Sequence, residues 1–401
     1  VYLFRAFAAT AFARQSHPKV TFKKPKLRTS NIHPQFQIPN SKFPIDYKIM
    51  DITPYLKLMI EKDASDIYFS VGSQVRIKVA GKVLIVGKTI LTSEMTQAVA
   101  HNIMSEMQKV VFSKKLELDF AVSLPEVKAR FRVNVFRQQE KVSIVMRYVK
   151  SKVPTLLDLG LPPILKDLIM SKRGLLLMVG ATNSGKSTTL AAMIDSRNEN
   201  QAGHILTIED PIEFVHPHKK SLVNQRELEV DTHSYVQALK SAMRESPDVI
   251  LIGEIRDRET MSATMELSNS GHLAISTLHA NNAYQAMQRV INMFSIEQHR
   301  QLFMDLSLNL VAIISQRLVV TVNNKRTAAV EVMINTPYIA DLILKGKIDE
   351  IKEAMESTGA EGTQSFDTAL FNLHKEGVIT LEEALAHADS RTNLQAKITF
   401  G

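Results

Sequence analysis

Hydrophobic and polar positions change their rhythm three times along the 401 residues. Residues 1–49 show no sustained period and carry Pro18, Pro25, Pro34, Pro39 and Pro44, so little regular structure is expected there. From Met50 the pattern sharpens. Thr53 and Pro54 read as the N-cap and first-turn proline of a helix with Tyr55, Leu58 and Met59 on one face. Alternation over Asp66 to Val71 and Val75 to Val79, turned at Gly72 and Gly81, predicts antiparallel strands, and Leu118 to Val122, Ala129 to Phe136 and Ser143 to Tyr148 extend the set. A second helix opens at Thr92-Ser93-Glu94 and runs towards Met107. Together these make an α+β domain over 50–150, followed by a linker over 151–157 that contains Pro154.

Beyond Gly174, short apolar runs fit for buried strands alternate with helical stretches. The runs are Leu175 to Val179, His204 to Ile208, Val249 to Ile252 and Leu273 to Thr277. Such alternation argues for a parallel sheet covered by helices. The expected fold class is therefore α/β, with a RecA-like nucleotide-binding core over 158–336 behind the smaller α+β domain. The remainder, 337–401, reads as helical, with Phe366, Leu370 and Leu373 on one face and a capping box from Thr380 to Glu383.

Charge changes this picture only once it is located. The chain has a formal charge of +8, and residues 1–49 hold nine Lys/Arg against one acid, Asp46, which accounts for all of it. The rest is balanced, so the basic pI is no footprint of nucleic-acid binding. Within the first segment, Ala6 to Ala13 with Ala11-Phe12-Ala13 admits a targeting peptide, but the run is short for one. The favoured expectation is a disordered basic extension that is not native, with translation starting at Met50. Having no cysteine, the chain forms neither disulfides nor cysteine zinc sites. No apolar run approaches the ~18 residues that would span a bilayer.

Candidate chemistry centres on Gly180-Ala181-Thr182-Asn183-Ser184-Gly185-Lys186-Ser187, which satisfies G-x-x-x-x-G-K-[ST] between a strand and a helix that continues through Thr188. Its backbone N–H groups can cradle phosphates, Lys186 can place a point charge on the terminal ones, and the Ser187 hydroxyl can ligate Mg²⁺. ATP and Mg²⁺ are the expected ligands. Glu254 ends the apolar strand Val249 to Ile252, where it can polarise an attacking water or hold water bound to Mg²⁺; alone it could equally be a cap. Glu209-Asp210-Pro211-Ile212-Glu213 places three carboxylates after another strand, for Mg²⁺ and water positioning or as an ordinary acidic turn. His272 and His279 bracket the strand from Leu273 and fall at its opposite ends, which weakens a metal-pair reading. In the first domain, Arg130 and Arg132 share a strand face and Arg147 lies on the next strand, a set of guanidinium groups that could be offered across the domain gap.

The order of these boxes carries more than any one of them. A phosphate loop, then Ile208 to Phe214, then Pro247 to Asp257, then Ser270 to Ala283 resembles the Walker A, Asp box, Walker B and His box of secretion-superfamily ATPases. Within these, the chain resembles the PilT/PilU family of type IV pilus retraction ATPases, on the PilU side. Ala64 to Ile67, Arg130 to Asn134 and Glu331 to Pro337 support this. Where the PilT branch has A-I-R-N-L-I-R-E-G-K, this chain has Tyr338 to Lys347, with Ala340 and Asp341 replacing the Arg-Asn pair. Gln364 to Asp367 and Ala388 to Ser390 also favour the PilU side. Asn183 stands where the family usually has Gly.

The resemblance implies a homohexamer of protomers that each join a PAS-like N-domain to a RecA-like domain. Glu254, Glu209 and His279 would act in hydrolysis, and Arg130 and Arg147 would reach the terminal phosphate. The motor would be cytoplasmic and peripheral at the inner membrane, working with a platform protein there and with a PilT-like paralogue. A nucleic-acid translocase or a pilus-assembly motor on the same core is the alternative. The first predicts a basic groove that the neutral chain does not offer, and no direct nucleic-acid contact is expected.

Overall fold

The computed structural model describes residues 50–127, 129–149, 152–357 and 359–400. The expectations for the basic segment 1–49, and for the first residue of the linker, fall outside these. Among the described residues the strands form two sheets.

The first sheet contains β1 (Asp66–Phe69), β2 (Gln74–Val79), β3 (Lys82–Ile90), β4 (Glu117–Leu124), β5 (Ala129–Gln138) and β6 (Lys141–Val149), in the order β3-β2-β1-β6-β5-β4. Every pairing is antiparallel. One face buries Phe131, Val133 and Val135 of β5 together with Leu56 and Met59 of the helix Thr53–Glu61 and Phe112 of the helix Glu106–Lys115. Alternation sends Arg130, Arg132 and Asn134 to the other face. Two expectations need correction. Leu56, not Leu58, enters the core, and the Asp51 side chain accepts the Thr53 N–H at 2.9 Å, so Thr53 starts the first helix without capping it. The second helix ends at Ile103, because Ser105 and Gln108 form a capping box that opens another at Glu106.

The second sheet contains β7 (Gly174–Val179), β8 (Gly203–Glu209), β9 (Ser221–Glu227), β10 (Val249–Ile252), β11 (Leu273–Leu278), β12 (Leu310–Val320) and β13 (Arg326–Ile334). Their order is β13-β12-β7-β11-β10-β8-β9, parallel except for β13, which is antiparallel to β12. The phosphate-loop strand β7 is buried at all six positions. Leu175, Leu177 and Val179 face a core shared with the helices Tyr235–Glu245, Arg258–Asn269 and Ala283–Ile291, while Leu176 and Met178 face the helix Lys186–Asn200. Burial on both faces makes β7 a rigid base for the loop that follows it.

The last helices, Phe366–Lys375, Leu381–His387 and Arg391–Phe400, pack Phe366, Leu370, Leu385 and Leu394 against Val319 of β12 and Ala329 of β13. Thr380 caps the middle one through the Glu383 N–H, but the Glu383 carboxylate turns away to accept the Val320 N–H at 2.7 Å. Only half of the expected capping box is formed. Among the described residues no helix is long and apolar enough to cross a membrane.

Candidate nucleotide site

At the C-terminal ends of β7, β8, β10 and β11 lies a cleft of about 930 Å³ into which the sequence-identified boxes converge. Its floor is the phosphate loop. Gly180 sits at φ +151°, and a Cβ there would lie 2.5 Å from Ser184 Oγ and 2.6 Å from the Gln316 carbonyl oxygen, so no side chain fits. Asn183 takes φ +64°, the left-handed conformation that asparagine tolerates better than most residues. Lys186 opens the helix, and its Nζ donates to the carbonyl oxygens of Gly180 at 2.7 Å and Ala181 at 2.9 Å. Burial lowers the Lys186 pKa, and the nearby carboxylates of Glu254 and Glu213 oppose that shift.

Opposite the loop stands Glu254. His279 Nε2 lies 3.0 Å from its Oε1, and Arg256 Nε donates to its Oε2 at 2.7 Å. Arg256 also reaches Asp210 Oδ2 at 3.3 Å, joining the Asp box to the Walker B carboxylate. Gly253 is what allows this approach. A Cβ there would meet Tyr235 Oη at 2.7 Å, with Glu209 Cα and the Ile208 carbonyl oxygen both at 3.3 Å.

The three Asp-box carboxylates serve different ends. Thr207 Oγ1 donates to Glu209 Oε1 at 2.6 Å, and Gln225 Nε2 donates to the same oxygen at 3.2 Å. Burial raises the pKa of Glu209 against these two hydrogen bonds. Asp210 pairs with Arg256, and Glu213 is exposed on the cleft wall. The Asp210–Pro211 peptide bond is cis. Of the two histidines only His279 is in the cleft. His272, at the far end of β11, turns its Nδ1 to Ser270 Oγ and the Leu267 carbonyl oxygen.

Arg130, Arg132 and Arg147 share one face of the first sheet, with Arg132 directly opposite Arg147 across the strand pair. None of the three lines this cleft. Arg130 Nη2 pairs with Glu227 Oε2 on β9 at 3.3 Å, and the same carboxylate oxygen faces the Ile212 N–H at 3.5 Å. Arg147 Nε pairs with Asp66 on β1 at 2.8 Å. From the first domain it is Lys78 of β2, with Ser65 and Gly81 beside the strands, that reaches the cleft.

One residue that sequence reasoning missed is Gln316. It is 3 % exposed on β12; its Nε2 donates to the Ser184 carbonyl oxygen at 2.8 Å, and its Oε1 accepts from Thr189 Oγ1 at 2.8 Å. The signal was Ser315-Gln316-Arg317, three polar residues inside the apolar run from Leu310 to Val320.

The donor set suits a nucleoside triphosphate with Mg²⁺. The helix Lys186–Asn200 points its N-terminus into the cleft, Ser184 Oγ is buried with no partner, and Ser187 offers a hard hydroxyl oxygen in the first turn.

Comparison with known proteins gives the same architecture. Residues 45–386 match the type II/IV secretion system protein family. The chain belongs to this family. Among its relatives is the type IV pilus ATPase PilU of Pseudomonas aeruginosa, 48 % identical over 88 % of this chain and 92 % of that protein. The type IV pilus retraction ATPase PilT of the same organism is 42 % identical over 84 % of this chain and 97 % of its own length. A crystal structure of the pilus retraction motor PilT with bound ADP superposes with a TM-score of 0.81 at 37 % identity, covering 86 % of this chain and 99 % of that one. As a type II/IV secretion system protein related to pilus ATPases, the chain has a RecA-like P-loop core behind a smaller α+β domain, the fold class expected from the sequence.

Proposed function

We propose that this protein is a hexameric ATPase that drives or assists retraction of type IV pili, in the manner of a PilU-like accessory motor. The observation that carries the reading is Glu254, held by His279 and Arg256 across one cleft from Lys186. In this reading the loop N–H groups from Gly180 to Thr188 and the Lys186 ammonium hold the phosphates, leaving the terminal one facing Glu254. Glu254 accepts the proton of the attacking water, and His279 fixes which carboxylate oxygen is presented. Asp210, tied to Arg256, keeps that second anchor in place, while Glu209 orients water beside it. When bound at Ser187, Mg²⁺ would neutralise charge on the phosphate oxygens. Arg130 and Arg147 would add charge at the terminal phosphate when the two domains close, since the face that carries them already meets the ATPase domain at Glu227.

The two sheets support a division of the chain near residue 150; beyond 336, Ile339, Leu342 and Ile343 join the core of the ATPase domain, and the helices from Phe366 onward pack on β12 and β13. Identity to PilU over nearly its whole length supports the pilus as the object of the motor, an inner-membrane platform protein and a PilT-like paralogue as partners, and a cytoplasmic site of action. The balanced charge of 50–401 supports a machine that makes no direct nucleic-acid contact. Deleting the protein in its host, alone and together with any PilT-like paralogue, tests the reading. Hyperpiliation or loss of surface motility in either background is expected; pilus number and motility unchanged in both would contradict it.

A further inference from the structure

The Ser315-Gln316-Arg317 triplet of β12 sends its side chains to opposite faces of the sheet. Gln316 serves the phosphate loop, whereas Arg317 turns to the last helices. Its Nη1 donates to the His387 carbonyl oxygen at 2.7 Å, its Nη2 to Asp389 Oδ1 at 2.6 Å, and its guanidinium lies 3.8 Å from the centre of the Phe366 ring. Asp389 is itself held in place: the two carboxylate oxygens of Asp367 accept the Asp389 N–H at 2.8 Å and the Ser390 N–H at 3.1 Å. Phe366, Asp367, Asp389 and Ser390 belong to the two C-terminal stretches that the sequence singled out and that hydrolysis leaves without a task. They meet at Arg317.

The other contact of this guanidinium reaches the segment that follows β11. Arg317 Nη2 also donates to the Asn281 carbonyl oxygen at 3.2 Å, two residues beyond His279. Three fastenings hold that short segment, besides the nearer hydrogen bond from the Asn281 N–H to Gln285 Oε1 at 3.2 Å. Arg289 holds the His279 carbonyl oxygen at 2.9 Å, Arg317 holds that of Asn281, and Glu331 Oε1 accepts the Ala283 N–H at 2.7 Å and the Ser315 hydroxyl at 2.8 Å. Arg289 and Glu331 are fixed within the ATPase core, so of the three only the Arg317 fastening depends on the C-terminal helices.

We propose that Arg317 is a positioning residue through which the C-terminal helices set the backbone that carries His279, and so the placement of Glu254. The charge-assisted hydrogen bonds to Asp389 and His387 hold the planar fork in one orientation, and the second N–H of Nη2 then fixes Asn281. Shifting the helices Phe366–Lys375 and Leu381–His387 would move that donor. A load on the end of the chain would thereby be felt as a change in turnover and not in nucleotide affinity. The proposal rests on the reading of Glu254 as the hydrolytic carboxylate.

The test uses the full chain with Asp389→Asn, Arg317→Lys and His279→Ala, alone and combined. Asp389→Asn keeps the shape and removes the charge that holds the fork; Arg317→Lys keeps the charge and loses the fork. Each is expected to lower kcat for ATP about tenfold with KM within about twofold, and to raise amide hydrogen exchange over 280–286 about tenfold while leaving 180–188 unchanged. In the His279→Ala background the same substitutions should change kcat by less than about twofold, because the group they position is gone. Folded variants with unchanged exchange over 280–286 would overturn the proposal, as would equal losses of kcat in both backgrounds. Exchange is read without turnover, so a parent that fails to hydrolyse ATP would sink the functional reading while this coupling is still measured.

Discussion

Replacing Glu331 by glutamine should change how stability depends on pH. Glu331 is 5 % exposed on β13, and its carboxyl accepts the Ala283 N–H and the Ser315 hydroxyl. Burial is the larger influence, and it raises the pKa from 4.5 to about 7 in spite of those hydrogen bonds. With the folded value above the unfolded one, the folded protein holds a proton that the unfolded chain has released. The resulting stabilisation is fully present below pH 4.5 and is lost as pH rises through about 7. At roughly 1.4 kcal/mol per pH unit the whole effect is about 3 kcal/mol, most of which is lost between pH 5 and 8. Glutamine keeps the shape and an accepting oxygen but cannot ionise, so its stability should not fall with this group. Equilibrium urea unfolding, followed by circular dichroism on parent and Glu331→Gln in parallel across that range, reads the difference. The variant should gain about 2–3 kcal/mol on the parent from pH 5 to 8; a difference that stays flat would show that burial does not hold a proton on Glu331.

Three other outcomes follow from the site. Gln316→Leu leaves the Ser184 carbonyl and Thr189 hydroxyl buried without partners, a cost of about 1–3 kcal/mol each, and should weaken nucleotide binding at least about tenfold in a fluorescent-nucleotide titration; unchanged affinity would remove Gln316 from the account. Gly253→Ala brings a methyl against Tyr235 Oη and should lower stability by about 1–3 kcal/mol in thermal unfolding, with part regained when Tyr235→Phe removes that oxygen. No regain would place the strain at the Glu209 backbone instead. Arg130→Ala or Arg147→Ala should leave ATP binding within a few-fold and cut hydrolysis by about 30-fold or more, and full hydrolysis in both would reduce them to the ion pairs they make with Glu227 and Asp66.

What could be read from the chain was what local pattern encodes. The phosphate loop is legible because its glycines, Lys186 and Ser187 fall at fixed spacing, and β7, β8, β10 and β11 because each is a mostly apolar run. The strand β9 was not anticipated, since Asn224-Gln225-Arg226-Glu227 is polar and becomes a strand only by pairing with β8 at the sheet edge. Exposure along the edge strand β3 hid it in the same way. β12 and β13 went unassigned although their apolar runs are plain, because nothing local says that β12 lies beside the phosphate-loop strand. That omission concealed Gln316 and Arg317, whose partners are distant in sequence: Ser184 for one, Asp389 for the other. The arginine face was legible from alternation, but the partners of Arg130 and Arg147 were not, as each sits on another strand far along the chain.

In the proposed mechanism one cleft both holds the nucleotide through Lys186 and hydrolyses it through Glu254. The most direct test is a paired measurement of ATP affinity and steady-state turnover in Glu254→Gln, with Lys186→Ala alongside. Glu254→Gln should bind ATP as the parent does and turn it over at least ~100-fold more slowly, while Lys186→Ala should lose turnover altogether. Turnover at the parent rate in Glu254→Gln would contradict the account.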